Sequence, residues 1–370
     1  IGPSAPAPMR VIAPGESVST PRMHLGHIEG DFDAVVQAMH EHVRRSVLPQ
    51  DPPGRSMLYE YANAVYCFGF MEGRYNEQEI LKDVDTASAL GVELYVMDAG
   101  WWDIPGDWTA SPTRFPNGLK PIIDKVHKKG MLFGLYMEAE KADTSSKIAK
   151  EHPDWLMPNT ALLNLSKPEV AAYVESVISK LITDNNLDLY RLDYNVGPGF
   201  PGDGTSTPRD GYIENDYWRY YDAFYGLIDR LRAKFPNVLF QQASEGGKRN
   251  DLGVAGRFHE TYLTDGLMAP RVFRDYCGQS LSLPPEVFVM GIGIPLPFDY
   301  RGHLDTHLRA TFTLSRPWIL SGVTPSFEEL SPERRDRYVH YADIYKKFIR
   351  PIFHTCKVYN HAPITAHGGV

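Results

Sequence analysis

From about residue 55 onward, short apolar runs alternate with longer stretches in which apolar side chains recur at helical spacing. The apolar runs predict strands at residues 64–70, 92–97, 131–137, 187–192, 238–243, 260–263, 287–291 and 318–321. The amphipathic stretches predict helices at residues 77–90, 122–129, 170–183, 218–235 and 332–348. Strands that alternate with helices are typical of a parallel sheet. The predicted fold class is therefore α/β, with a (β/α)8 TIM barrel over residues 55–353.

The two ends of this pattern give further expectations. The last helix is predicted to turn four apolar side chains toward a core: Tyr338, Tyr341, Ile344 and Phe348. At the other end, residues 11–13 and 15–18 resemble the last strands of a β domain, and an amphipathic helix follows. The residues predicted on one side of that helix are Val35, Val36, Met39, His40 and Val43. A break at residues 51–54 separates this segment from the barrel. We therefore expect residues 1–54 to be the tail of a truncated N-terminal β domain plus a linking helix.

Composition narrows the classes of protein that this pattern admits. The chain has 370 residues, of which 43% are hydrophobic and 23% charged, which is ordinary for a globular protein. The net charge of −8 and the lack of a basic stripe argue against nucleic-acid binding. No apolar run approaches the roughly 20 residues that cross a bilayer, so we expect no membrane partner. Because the chain starts at Ile1 without a methionine or a signal peptide, we expect a processed or excised piece.

The cysteines propose no site. Cys67, Cys277 and Cys356 are widely separated and odd in number, which predicts neither a disulfide framework nor a zinc site. No other cluster of histidine, cysteine and carboxylate side chains suggests a metal, so no metal and no cofactor are predicted.

Carboxylates follow several of the predicted strands. The run 187–192 ends in Asp193, and a loop rich in glycine comes next. In a (β/α)8 barrel the catalytic groups lie at the C-terminal ends of the strands, so Asp193 is a catalytic candidate, although a helix cap or a turn would place an aspartate there too. The other carboxylates at strand ends are Asp98, Glu138, Glu140, Glu245, Asp251 and Asp265.

Aromatic side chains accompany these carboxylates. They are Trp101, Trp102, Trp155, Tyr194 and Tyr262. Aromatic faces stack on sugar rings and carboxylates bind sugar hydroxyls, so the combination favours a carbohydrate-active enzyme. A retaining glycosidase needs two carboxylates about 5–5.5 Å apart, and Asp193 and Asp265 lie two strands apart around the predicted barrel.

Each signal also has a plainer interpretation. Trp101 and its neighbour would serve equally as packing at the barrel rim. Either Glu138 or Glu140 would serve as a salt-bridge partner of Lys141. Arg249 and Asp251 would pair with each other in a surface loop.

Several ordered motifs resemble glycoside hydrolase family 36, the α-galactosidase family. Residues 96–102 resemble its Asp-Asp-Gly-Trp strand end, and residues 132–140 with 152–155 resemble its Gly-Leu-Trp-x-Glu-Pro-Glu block and the His-Pro-Asp-Trp that follows. Residues 191–195 are similar to its Lys-Trp-Asp-x-Asn motif. Residues 244–251 and 263–265 resemble its Gly-rich Arg-x-Asp segment and its Thr-Ser-Asp-Asn. The resemblance covers about residues 10–355.

The resemblance implies roles for these residues. It makes Asp193 the nucleophile and Asp265 the general acid/base. The residues implied to bind the sugar or line its site are Asp98, Trp101, Glu138, Trp155, Arg191, Arg249 and Asp251. Family members carry β domains on both sides of the barrel, so residues 354–370 are expected to begin a truncated C-terminal β domain.

Departures from the family motifs lie around the catalytic aspartates. Ala99 stands where the family has the second of two aspartates, which helps to hold galactose hydroxyls. Arg191 replaces the motif lysine, Leu192 the motif tryptophan, and Gly266 an asparagine. The two catalytic carboxylates are spared, so the resemblance implies the mechanism more strongly than the substrate.

The leading hypothesis is a retaining α-glycosidase that hydrolyses terminal α-linked sugars, with α-galactosides as the default substrate. One alternative is the same mechanism on a different or modified sugar, such as an α-N-acetylgalactosaminide. Transfer to another sugar instead of water and a catalytically silent carbohydrate-binding barrel are further alternatives. A carbohydrate is the expected partner, and a homo-oligomer is admitted.

Overall fold

The computed structural model describes residues 10–64, 75–195, 205–266, 269–294, 304–321 and 331–359. Within them lie ten strands: β1 (Glu60–Asn63), β2 (Leu94–Met97), β3 (Leu132–Met137), β4 (Leu189–Leu192), β5 (Ser206–Arg209), β6 (Tyr212–Asn215), β7 (Leu239–Gln242), β8 (Glu260–Tyr262), β9 (Phe288–Ile294) and β10 (Arg316–Ser321). Eight of them form a closed parallel barrel in the order β1-β2-β3-β4-β7-β8-β9-β10, which confirms the predicted (β/α)8 fold.

Helices connect the barrel strands. The α-helices are Phe32–Ser46, Glu77–Ala89, Lys120–Lys128, Lys147–Glu151, Pro168–Asp184, Tyr217–Lys234, Leu252–Ala255, Ala269–Gln279, Leu304–Leu314 and Pro332–Ile344. Shorter helical turns are Pro153–Trp155, Ser244–Gly247, Pro285–Val287, Tyr345–Ile349 and Arg350–Thr355. The helices predicted at 77–90, 122–129, 170–183 and 218–235 are confirmed to within two residues at each end. Those at 269–279 and 304–314 were not predicted.

The barrel strands were predicted with one clear error. The first strand was predicted at residues 64–70, but β1 lies before it, and residues 65–70 are outside the described part of the chain. β1 was missed because the polar side chains Glu60 and Asn63 lie at its two ends, whereas a buried strand is expected to be a continuous apolar run. Both side chains are buried in polar contacts. Seven predicted strands overlap the observed ones.

A hairpin interrupts the barrel between β4 and the helix Tyr217–Lys234. Its strands β5 and β6 pair antiparallel, and their side chains are mostly exposed or half-buried. This hairpin was not predicted, because Ser206–Arg209 has no apolar period to signal a strand.

The core has two layers, one inside the barrel and one between the strands and the surrounding helices. The inner layer includes Ala62, Val96, Leu189, Leu239 and Trp318. Alternate residues of the same strands, such as Tyr95, Tyr190 and Phe240, pack outward against the helices. This alternation follows from the two-residue period of a strand.

The N-terminal segment differs from expectation in two details. Residues 11–13 and 15–18 form no strand, although they were predicted to do so, and Arg219 holds this segment by a hydrogen bond of 3.0 Å to the carbonyl of Val11. Val35 is 48% exposed, whereas Val36 and Val43 of the same helix are buried. The assignment of residues 1–54 and 354–370 to β domains stays a prediction.

At the C-terminal helix the predicted apolar face is partly wrong. Tyr338 is buried, but Phe348 is 66% exposed. The last turn, Tyr345–Ile349, is a π-helix, and its wider turn rotates the following side chains relative to an α-helix. Tyr345 therefore takes the buried position instead.

Candidate active site

Carboxylates gather at the C-terminal end of the barrel, as the strand-end pattern predicted. Asp98 follows β2, Glu138 follows β3, and Asp193 follows β4. Asp265 lies three residues beyond the end of β8. The carboxyl ends of parallel strands meet at one face, so four separate strands present an acid to the same space.

Asp193 is oriented by three N–H donors. Its Oδ1 accepts from the backbone N–H of Tyr194 at 2.7 Å and from that of Glu245 at 3.1 Å. Its Oδ2 accepts from the side-chain amide of Asn195 at 2.9 Å. The residue is only half-buried. The carboxylate is therefore held from its own loop and from the loop after β7, while part of it stays accessible.

Asp265 lies at the open side of the same space and is exposed at its edge. The pocket walls desolvate its carboxyl, and the negative charges of Asp193 and Asp98 add to this, so the pKa of Asp265 is raised above that of an ordinary aspartate. Arg191 and Arg271 oppose the shift. A carboxyl beside another carboxylate keeps its proton to higher pH.

The turn Ser244–Gly247 connects the two aspartates. Its four residues have positive φ, at 41°, 43°, 72° and 88°. Left-handed backbone is strained for residues other than glycine. The N–H of Glu245 reaches Asp193, and a Cβ added at Gly246 would lie 2.7 Å from the carboxyl carbon of Asp265. The turn thus sets the positions of both carboxyl groups.

Arg191 lies beneath these carboxyls and is 3% exposed. Its Nε lies 3.2 Å from Oδ2 of Asp98, and its Nη1 donates to Gln241. The rings of Tyr262 and Trp318 flank the guanidinium, with their centroids 5.0 and 4.9 Å from Cζ. The structure therefore places Arg191 and Asp98 together near the C-terminal end of the barrel, as a buried ion pair.

Glu138 also lies near Asp193, but at a greater depth. It is 4% exposed, and Lys141 lies 3.1 Å from its Oε2, which agrees with the plainer interpretation as a salt bridge. Burial raises the pKa of Glu138, Lys141 opposes this, and the charge of Asp193 adds to it.

The predicted tryptophans take supporting positions. Trp101 is 1% exposed and donates from Nε1 to the carbonyl of Tyr136 at 2.7 Å. Trp102 stacks on Tyr136 with centroids 5.6 Å apart, and the hydroxyl of Tyr136 accepts from Asn195 at 3.0 Å. Rim packing therefore describes Trp101, and this aromatic group supports the asparagine that holds Asp193.

Trp155 contacts the rings of His152 and Tyr173. It is half-buried and stacks on His152 at 4.1 Å, with Tyr173 at 5.4 Å. These contacts do not join it to the carboxylates at the strand ends.

Two predicted sugar ligands are engaged elsewhere. Arg249 is 1% exposed and binds Glu140 through both terminal nitrogens, at 2.8 and 3.0 Å. Its guanidinium lies 4.4 Å from the ring centroid of Tyr194. Asp251 caps the helix Leu252–Ala255 by accepting from two backbone N–H groups. The interpretation that Arg249 and Asp251 pair with each other is wrong.

Two components of the site were not predicted. Gln241 bonds Arg191 from inside the barrel, and the turn Ser244–Gly247 holds both aspartates. The adjacent glycines Gly246 and Gly247 signal left-handed backbone in the sequence. Nothing in the sequence signals that Gln241 faces inward.

The described residues contain no membrane-spanning helix and no metal cluster. None of their helices is both long and apolar enough to cross a bilayer. Among them, no three or more His, Cys, Asp or Glu side chains come together in a way that could hold a metal ion.

Comparisons with known proteins agree with this architecture. The Melibiase family model matches residues 17–294. An α-galactosidase of Lactobacillus acidophilus is 28% identical over 358 residues, covering 90% of this chain and 47% of that protein. An α-galactosidase of Escherichia coli is 29% identical over 375 residues, covering 94% of this chain and 49% of that protein. The chain therefore spans about half the length of the curated relatives it matches.

Solved structures show the same fold. A family 36 α-galactosidase from Geobacillus stearothermophilus superposes with a TM-score of 0.76 at 22% identity, over 88% of this chain and 46% of that one. Variants of that enzyme have been solved with raffinose and with stachyose bound.

Proposed function

This chain belongs to the Melibiase family, and from that premise we propose that it forms the catalytic barrel of a retaining α-glycosidase that hydrolyses terminal α-galactosides. The curated relatives that it resembles are α-galactosidases, and the Geobacillus enzyme of the same fold binds raffinose and stachyose. The proposal concerns the barrel, since the chain spans about half of those proteins.

In the first step, an Asp193 carboxylate oxygen attacks the anomeric carbon of the sugar. The bond from that carbon to the leaving oxygen breaks, and protonated Asp265 gives its proton to that oxygen. The products are a covalent glycosyl ester on Asp193 and a free alcohol.

In the second step, ionised Asp265 takes a proton from water. The resulting nucleophile attacks the same carbon and breaks the ester, which frees Asp193 and the sugar with its original configuration. Two inversions therefore give net retention.

The observation that carries the proposal is the difference between the two aspartates. Asp193 is held by three N–H donors, as a nucleophile that must be aimed at one carbon requires. Asp265 has a raised pKa and an open edge, so it can hold a proton and reach a leaving group.

Glu138 is a poorer candidate for the acid. Its pKa is also raised by burial, but it is 4% exposed and bound to Lys141. A general acid must come within hydrogen-bond reach of the leaving oxygen. Glu138 therefore supports the site from below.

The sugar is the less constrained part of the proposal. The backbone N–H of Ala99 donates to Asp98 at 2.8 Å, and its half-buried side chain is a methyl group that binds no hydroxyl. This observation favours testing modified sugars, such as α-N-acetylgalactosaminides, beside α-galactosides.

We would test the proposal with aryl α-glycosides and three variants, Asp193→Asn, Asp265→Asn and the surface control Asp124→Asn. We expect α-galactoside turnover in the wild type and in Asp124→Asn, and a loss of about 10³-fold or more in Asp193→Asn. For Asp265→Asn we expect a large loss with poor leaving groups and a small one with activated leaving groups, because only the former need the acid.

Three results would change the proposal. Unchanged turnover in Asp193→Asn would remove it as the nucleophile. Turnover of another sugar but not of the galactoside would keep the mechanism and replace the substrate. Sugar binding without turnover on the full panel would favour a silent binding barrel.

A further inference from the structure

A chain of buried polar side chains runs through the interior of the barrel. Its members are Asp98, Arg191, Gln241, Glu60, Glu260 and Arg316. Layers of apolar side chains fill the interior of such barrels. A buried polar or charged group is unfavourable unless it is paired or hydrogen-bonded, so each member depends on its neighbours.

The strand register places the middle members of this polar chain at the same height in the barrel. Arg191 on β4 pairs with Gln241 on β7, and Gln241 pairs with Glu260 on β8. Asp193 lies two residues beyond Arg191, on the same side of the strand by the two-residue period. The polar chain therefore begins directly beneath the proposed nucleophile.

Gln241 joins the two halves of the polar chain. Its Oε1 accepts from Arg191, and its Nε2 donates to Oε2 of Glu60 at 2.9 Å and to Oε1 of Glu260 at 2.9 Å. A guanidinium only donates hydrogen bonds and an ionised carboxylate only accepts them. The neighbours therefore determine which way the amide points, and an amide meets both demands at once.

The lower half of the polar chain is held at the N-terminal end of the barrel strands. Arg316 donates to Glu260 at 3.1 Å and to the two oxygens of Asp51 at 3.0 and 2.9 Å. Burial and the adjacent Glu260 carboxylate raise the pKa of Glu60 well above the usual range. Glu60 and Glu260 both accept from the amide nitrogen of Gln241.

We propose that Gln241 is a positioning residue for the reaction, which fixes the guanidinium of Arg191 beneath Asp98 and the catalytic aspartates. This proposal rests on the function proposed above for Asp193 and Asp265. The aromatic rings beside Arg191 define the plane of its guanidinium, and the hydrogen bond that Arg191 donates to Gln241 sets its position along the barrel axis. Without that bond, the guanidinium of Arg191 would be held only by its ion pair with Asp98 and by the two rings.

The first test compares Gln241→Met with Gln241→Asn. Methionine has a similar volume but neither hydrogen-bonding function, and asparagine keeps both functions with a shorter reach. We expect Gln241→Met to lower kcat/KM for an aryl α-galactoside by about 10- to 100-fold, mostly through kcat, because a displacement of about 1 Å has effects of that size. Gln241→Asn should lose less. A folded Gln241→Met protein with wild-type kcat would overturn the proposal.

The second test does not depend on turnover. Asp98 and Gln241 both contact Arg191, so Asp98→Asn and Gln241→Met should give non-additive shifts in the urea midpoint of unfolding. Additive shifts would overturn the proposal. If Gln241→Met does not fold, Gln241→Asn takes its place in both tests. If the wild type hydrolyses no α-galactoside, the proposed function fails, while the midpoints still decide whether Gln241 fixes Arg191.

Discussion

The barrel holds two pairs of carboxyl groups. Both pairs contain a member with a raised pKa, but the pairs differ in their exposure to solvent. Asp193 and Asp265 form the outer pair at the C-terminal end, and Glu60 and Glu260 form the inner pair. In each pair, burial and the partner's negative charge raise the pKa of one member, Asp265 or Glu60. The inner pair is fully buried, whereas the outer pair is open to solvent.

This difference separates a raised pKa from a catalytic role. Perturbed pKa values mark functional sites and structural ion networks alike. The inner carboxyls are bonded to Gln241 and Arg316 and have no route to a substrate. The outer ones lie against backbone N–H groups and the turn at Gly246, and both side chains are accessible to solvent.

The largest effect should come from neutralising one member of each pair. Asp265→Asn removes a proton donor, and general acid catalysis is worth about 10²- to 10⁴-fold, so kcat/KM for a poor leaving group should fall by that factor. Glu260→Gln breaks a buried ion pair with Arg316, which should lower the free energy of unfolding by about 3–5 kcal/mol. Its activity loss should be smaller than that of Asp265→Asn. Urea unfolding and kinetics on both variants measure these effects, and the reverse ranking would contradict the comparison.

A second prediction separates buried charges that hold the fold from those that bind sugar. Arg249→Met leaves Glu140 buried without its partner, so we expect about 3–5 kcal/mol less stability and an unchanged KM. Arg230→Met is the matched control, because it breaks an exposed pair with Glu175 that is worth less than about 1 kcal/mol. A raised KM at unchanged stability would instead show the sugar-binding role that the family resemblance implies for Arg249.

The third prediction concerns the turn that positions the outer pair. In Gly246→Ala the new methyl would lie 2.7 Å from the Asp265 carboxyl carbon, so we expect kcat/KM to fall about 10- to 100-fold. Gly118→Ala is the control, since Gly118 has a similar φ of 68° but open space around it. Both variants should lose about 1–2 kcal/mol of stability from backbone strain. Equal kinetics in the two variants would show that the turn does not position Asp265.

The smallest expected effect is a shift in pH dependence. The proposed acid works only while Asp265 is protonated, so its pKa sets the basic limb of kcat/KM. Arg271 lowers that pKa, and Arg271→Gln should therefore raise it and move the limb to higher pH, by a small amount because the Arg271 side chain is exposed. Arg274→Gln, on the same helix, is the control. A shift to lower pH would contradict the assignment of Asp265.

The local pattern of apolar and polar residues predicted most of the fold. The strands that read as apolar runs were found within a few residues, because a buried parallel strand has a continuous apolar signature. β1 was misplaced because Glu60 and Asn63 interrupt that signature, and the polar hairpin of β5 and β6 has no such signature. In both cases the strand depends on contacts with other parts of the chain, which the local sequence pattern does not show.

The sequence by itself determined which acids stand at strand ends, because strand order and direction in a parallel barrel bring those ends together whatever the side chains do. It also determined where the glycines of residues 244–247 allow left-handed backbone. Only the tertiary structure decided the role of each charge. Arg249 binds Glu140, 109 positions away, instead of Asp251 two positions away, and Gln241 meets Glu60 across 181 positions. Such pairs depend on which side chains face each other in the folded barrel, and the spacing of residues along the chain does not predict which ones do.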